Sequence, residues 1–212
     1  MATASRNLLF RRVLSHEHDI DIHVFDWDAN GVRRVWHSNR SFFHGSMEVE
    51  DIDGDEIAEI VVESGTREGS EVLALDETSY HVRDSFAYKW DGRVFTPRPY
   101  HVRMPYASYN KAVEFIRAIW LRDYGHAYKM VVMPGFLGLK GLDDSSINAF
   151  KCHIDAKVLP VLMRNLSKGK LVPTEPYDTC CQFIGAEDCF TVELARKENT
   201  LMVYGMIITK RI

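Results

Sequence analysis

Cysteine is scarce in this chain. Its 212 residues include only Cys152, Cys180, Cys181 and Cys189, and none stands in a CxxC pair, which argues against a zinc ribbon or finger. Adjacent Cys180 and Cys181 cannot readily bridge each other. A bridge from one of them to Cys189 across a hairpin stays open for a secreted chain, and free thiols are the alternative. Long apolar runs are missing too. The centre of the basic stretch 6–12, Leu8-Leu9-Phe10, is too short for a signal-peptide core, and nothing approaches a membrane span. The chain is therefore either intracellular or has lost a leader. An excess of positive charge is also lacking. With 26 Lys and Arg against 30 Asp and Glu, the net charge is −4, which offers no broad basic field to nucleic acid or an anionic membrane. A complete nucleophile–base set and a phosphate loop are likewise absent.

What remains is an ordinary globular composition, 46% hydrophobic and 26% charged. The length allows one large domain or two small ones, and the pattern changes near residue 100. Before it, short apolar segments at 24–25, 32–36, 47–49, 60–62, 72–75, 86–90 and 94–95 are separated by Gly, Asp, Asn and Ser, which predicts an antiparallel β domain over 20–97. The segment 98–107, with Pro99 and Pro105, reads as a linker. An N-terminal segment, 1–19, precedes the β domain.

After the linker the period becomes helical. Ala112, Val113, Phe115, Ile116, Ile119 and Trp120 recur at helix spacing, with Ser108 as candidate N-cap. A short second helix follows from Asp123. A third runs from Asp144 or Ser145 to Leu166, and Pro160 should kink or split it. Strands are expected at 170–172, 179–184, 190–195 and 201–209, with a hairpin turn at 198–200. The fold class is thus α+β, with an N-terminal antiparallel β domain and a C-terminal domain over 108–212 of helices followed by a β-meander.

The sharpest local signal is Asp51-Ile52-Asp53-Gly54-Asp55-Glu56-Ile57-Ala58-Glu59, running into the strand Ile60-Val61-Val62. Carboxylates at alternate positions, with a fourth at the end, can converge on a hard cation. A run of Asp and Gly between strands is also an ordinary acidic turn, and both readings follow from the residues. The loop resembles the calcium loop of FG-GAP/VCBS-type repeats, the blade units of integrin-type propellers, and the strand–Trp–turn hairpins at 22–27 and 86–95 extend the likeness to about 20–97. The resemblance implies a calcium site made by Asp51, Asp53, Asp55, the Ile57 carbonyl and Glu59. Glu56 stands where that pattern has Gly, a position that often needs a permissive backbone. One repeat cannot close a propeller, so the segment could also belong to a larger one.

The helices with the meander, and the run 112–120 followed by Asp123-Tyr124-Gly125-His126-Ala127-Tyr128, resemble the NTF2-like α+β cones. That resemblance implies a pocket within a curved sheet. In enzymes of the family an acid–base set lies inside the cone, and the candidates here are Asp123, His126 and Tyr128, with Tyr124, His153, Asp155 and Tyr204 behind them. Each also has a plain structural role: Asp123 as a helix cap, Tyr124 and Tyr128 as packing residues, His126 as a surface group. His153 and Asp155 lie about 200° apart on a helix. Two weaker signals complete the set. His16-Glu17-His18-Asp19 with His23 could bind a transition metal or be a solvated terminus. Asp26-Trp27-Asp28-Ala29-Asn30-Gly31 mimics an EF-hand start but has His37 at its twelfth position, and Asn30-Gly31 reads as a hairpin turn.

Two functions are expected from this. The first is a non-enzymatic binding or interaction module, calcium-stabilised in its β domain, taking a small-molecule or protein ligand or pairing as a homodimer through the C-terminal sheet. The second is a small NTF2-like enzyme using acid–base chemistry in the cone.

Overall fold

The computed structural model describes residues 19–75, 80–132 and 147–211, together with the backbone of Leu8–Leu14. His16, Glu17 and His18, the stretch 135–141 and the caps proposed at Asp144 or Ser145 lie outside the described residues. The chain is a mixed α+β protein whose strands pair antiparallel. It divides into two units. The first comprises Met1–Thr66 and Arg83–Val102, the second Arg67–Val82 and Arg103–Ile212.

In the first unit, β1 (Leu8–Leu14), β2 (Ile20–Asp28) and β3 (Gly31–His37) form one sheet. Asp28 Oδ1 accepts the Asn30 N–H at 2.7 Å and Gly31 takes φ +123°, so the Asp-Ala-Asn-Gly stretch is spent on a hairpin turn. The second sheet has the order β4 (Ser46–Glu50), β5 (Glu59–Thr66), β6 (Val82–Trp90), β7 (Phe95–Arg98). Period-two alternation turns Ile20, Ile22 and Val24 inward from β2, where they meet Ile60, Val62, Tyr88 and Phe95 in one core. Each such side chain contributes roughly 1.5–3 kcal/mol by burial.

In the second unit, β8 (Val172–Pro173), β9 (Cys180–Ile184), β10 (Asp188–Lys197) and β11 (Thr200–Lys210) form a sheet in the order β11-β10-β9-β8. Phe183, Phe190, Val192, Leu194 and Val203 share a core with Tyr109, Ala112, Val113, Phe115, Ile116 and Ile119 of α1 (Tyr106–Trp120). Ser108 is not the cap of that helix. The helix begins after Pro105, and Ser108 is buried in its first turn, donating to the Asp178 carbonyl at 2.6 Å. α2 (Tyr124–Lys129) is short. Pro160 splits the third helix as expected. α3 (Ile147–His153) passes into a wide π stretch at Ile154–Val158 and then into α4 (Leu159–Leu166). Pro160 has no N–H to give the preceding turn, and the widened turn accommodates that loss.

The segment 72–75, which alternation marks as a strand, is a turn with one bridge, Leu73 to Leu171. Val72, Leu73 and Leu171 are buried together in the second core. Tertiary burial, rather than strand pairing, accounts for their apolar character.

Candidate functional site

The acidic loop lies between β4 and β5. Asp51 organises its backbone: Oδ1 accepts the N–H of Gly54 at 2.7 Å and of Asp55 at 3.2 Å, and Oδ2 accepts that of Glu56 at 2.8 Å. These bonds, the one from Glu56 foremost, hold the Asp51 carboxyl below its ordinary pKa. Asp55 Oδ1 accepts the Ile57 N–H at 3.1 Å, and Glu59 Oε2 accepts the Ile52 N–H at 2.9 Å. Glu56 takes φ +67°, so the position at which the repeat pattern has Gly is left-handed here as well.

Oxygens of Asp51, Asp53 and Glu59 lie within 4.8 Å of one another, a spacing that could hold a metal ion. A side chain of the same unit meets two of these three carboxylates, Asp53 and Glu59, together with Asp55. Lys89 of β6 is buried, and its Nζ lies 2.7 Å from Asp53 Oδ2, 2.7 Å from Asp55 Oδ2 and 2.9 Å from Glu59 Oε1. Glu59 is 1% exposed, and its Oε1 meets Lys89 as an ion pair without a well-directed hydrogen bond. Burial opposes the charge on Lys89, but its pairing with the carboxylates of Asp53, Asp55 and Glu59 outweighs it and raises the pKa above the ordinary lysine value. Asp55 is held low, first by Lys89. The donor set fits a hard cation in kind. A divalent ion would have to displace or crowd an ammonium already bonded to three of the four carboxylates. Ile57 enters this arrangement through its N–H, bonded to Asp55.

The residues proposed for acid–base chemistry fall in the second unit and hold separate positions. Asp123 caps α2, its Oδ1 accepting the His126 N–H at 3.0 Å. The His126 ring lies on the surface, Nε2 2.7 Å from Glu114 Oε1. Tyr128 packs edge-on against Phe150. Tyr124 donates to Asp155, while burial pushes the His153 imidazole pKa down. Tyr204 is half-exposed on β11.

A second polar centre joins α4 to the β9–β10 turn. Asn165 is fully buried. Its Oδ1 accepts the N–H of Glu187 and Asp188 at 2.8 and 3.1 Å, and its Nδ2 donates to the Val161 carbonyl at 2.9 Å and to Asp188 Oδ2 at 2.8 Å. Arg164 reaches Asp188 at 2.7 Å and Glu187 at 2.8 Å. Arg164, then Asn165, holds the Asp188 carboxyl below its ordinary value. A Cβ on Gly185 would stand 2.5 Å from Asn165 Oδ1, so only Gly admits the amide here.

Sequence reasoning finds neither Lys89 nor the Asn165 centre. Lys89 sits in a strand whose aromatic residues, Phe86, Tyr88 and Trp90, share one face, and a Lys on the opposite face reads as solvated. Only its burial in β6 beside β5 gives it a role. Comparison with known protein-family models, curated proteins and solved structures finds no match. Among the described residues no helix is long and apolar enough to cross a membrane.

Proposed function

We propose that this chain is a non-enzymatic binding or interaction module whose β unit, of FG-GAP/VCBS type, closes its acidic loop with its own ammonium in the place a calcium ion takes in such loops. The observation that carries this reading is Lys89 Nζ within 2.9 Å of carboxylate oxygens of Asp53, Asp55 and Glu59. A tethered cation would keep the loop ordered whatever the calcium level, as a rigid scaffold for ligand recognition requires. The second unit, of NTF2-like type, supplies a packed support in this reading. Its outer sheet face, with Tyr204 and Ile207 half-exposed, is the surface through which a second copy would pair. The separate structural roles of Asp123, His126 and Tyr128 support a binding role over acid–base catalysis.

Thermal melts in EDTA and in millimolar calcium test the reading. The unaltered protein is expected to melt at the same temperature in both. Lys89→Met is expected to melt roughly 5–15 °C lower in EDTA, because three carboxylates lose their counter-charge, and to recover most of that in calcium. A rise of several degrees with calcium in the unaltered protein would replace this reading with a resident calcium site.

A further inference from the structure

The opposite charge gathers elsewhere on the first unit. A cleft of about 330 Å³ is lined by Arg33, Arg34 and Val35 of β3 and by Trp90, Gly92 and Arg93 at the β6–β7 turn. The β2–β3 register slips at this point: Phe25 faces Arg34 and Val24 faces Trp36, so Val35 is the extra residue of a bulge. Bulges re-aim neighbouring side chains and are common beside binding sites. The turn is fixed by Asp91, whose Oδ1 accepts the N–H of Arg93 and of Val94, both at 2.8 Å. Gly92 takes φ +96°, and no atom lies within 4 Å of where its Cβ would be, so this wall is open to close approach.

Three guanidiniums around one cleft repel one another, and the carboxylates nearby answer them incompletely. Asp26 stands 3.9 Å from Arg33, which is three-quarters exposed, and the Asp91 carboxylate is turned to the backbone. Arg34 has a 3.5 Å contact to His23 Nδ1, and Arg93 feels the charge of Asp91, whose pKa it helps to lower after the backbone bonds from Val94 and Arg93. Guanidiniums present forked N–H donors that match tetrahedral oxyanions, and an indole beside them gives a flat apolar wall.

We infer that this cleft binds a tetrahedral oxyanion, a phosphate or sulfate group, carried by a ligand whose ring lies against Trp90. The site is separate from the Lys89 loop, so either can fail without the other.

Titration calorimetry of the whole chain with inorganic phosphate, pyrophosphate, sulfate and phenyl phosphate tests it. Saturable binding is expected. Arg34→Gln and Arg93→Gln should each weaken it about tenfold while leaving the melting temperature unchanged, since both residues are exposed. Pyrophosphate against sulfate separates a phosphorylated from a sulfated source. Phenyl phosphate should bind more tightly than inorganic phosphate, and Trp90→Leu should remove that advantage. Linear heats with no saturation would overturn the inference. So would affinities unmoved by both substitutions.

Discussion

Among the described residues each unit buries one carboxylate almost completely, and the two solve the same electrostatic problem differently. Glu59 is 1% exposed and Asp188 is 3% exposed. Around Glu59 the cation is buried as well: a flexible lysine carries a point charge into the middle of several acids. Around Asp188 the cation, Arg164, stays half in solvent, and a buried amide, Asn165, does most of the directional bonding. The first arrangement depends on charge balance, the second on hydrogen-bond geometry.

That contrast predicts how each centre breaks. Removing the cation should damage the first centre far more than the second. Lys89→Met is expected to lower the melting temperature by roughly 5–15 °C, against a few degrees for Arg164→Met, because Asp188 keeps its bond to Asn165. Equal losses would show that both centres depend on their cations. In the second centre the amide should matter more than the charge. Asn165→Leu strands the N–H groups of Glu187 and Asp188, at a cost of about 2–4 kcal/mol by urea denaturation. A cost below that of Arg164→Met would reverse the assignment.

The second core also carries an alkaline weakness. Burial, with Cys180 a lesser cause, pushes the Cys181 thiol up from 9.0 to about 12. A raised pKa means that the folded state holds the proton more tightly than the unfolded one. The contribution is complete below about pH 9 and is lost as pH rises through the folded value. Urea midpoints should therefore fall between pH 9 and pH 10 in the unaltered protein and fall less in Cys181→Ala. The smallest effect should be a gain. Glu56→Gly removes a side chain from a left-handed backbone position and should stabilise the β unit by about 0.5–1 kcal/mol.

The acidic loop is legible in the sequence because its information is local. Alternate Asp residues, the turn-forming Gly54 and the left-handed requirement at position 56 lie within nine residues of one another. The strands of the first unit are legible for the same reason, through alternation such as that of Ile20, Ile22 and Val24. What completes the loop is not local. Lys89 lies thirty residues beyond Glu59 and meets it only because β6 lies beside β5. Ser108 shows the converse error: a hydroxyl near a helix start has the right chemistry for a cap, but the partner it finds is the Asp178 carbonyl. Apolar Val72 and Leu73 carry a strand signal equally well when they plug a core as when they pair in a sheet.

The piece that contains them has a consequence for how the chain is made. Arg67–Val82 leaves the first unit in sequence and packs in the second. There Lys170 donates to the Ser70 carbonyl, Leu171 bridges Leu73, and Arg117 pairs with Glu68 and Glu71. Ser70 and Lys170 are 100 residues apart. On a ribosome adding about 5–20 residues each second, the segment emerges roughly 5–20 s before its last partner exists. Through that interval Val72 and Leu73 lack the part of their core that Leu171 and the sheet supply, so this stretch cannot finish docking until most of the chain has been made.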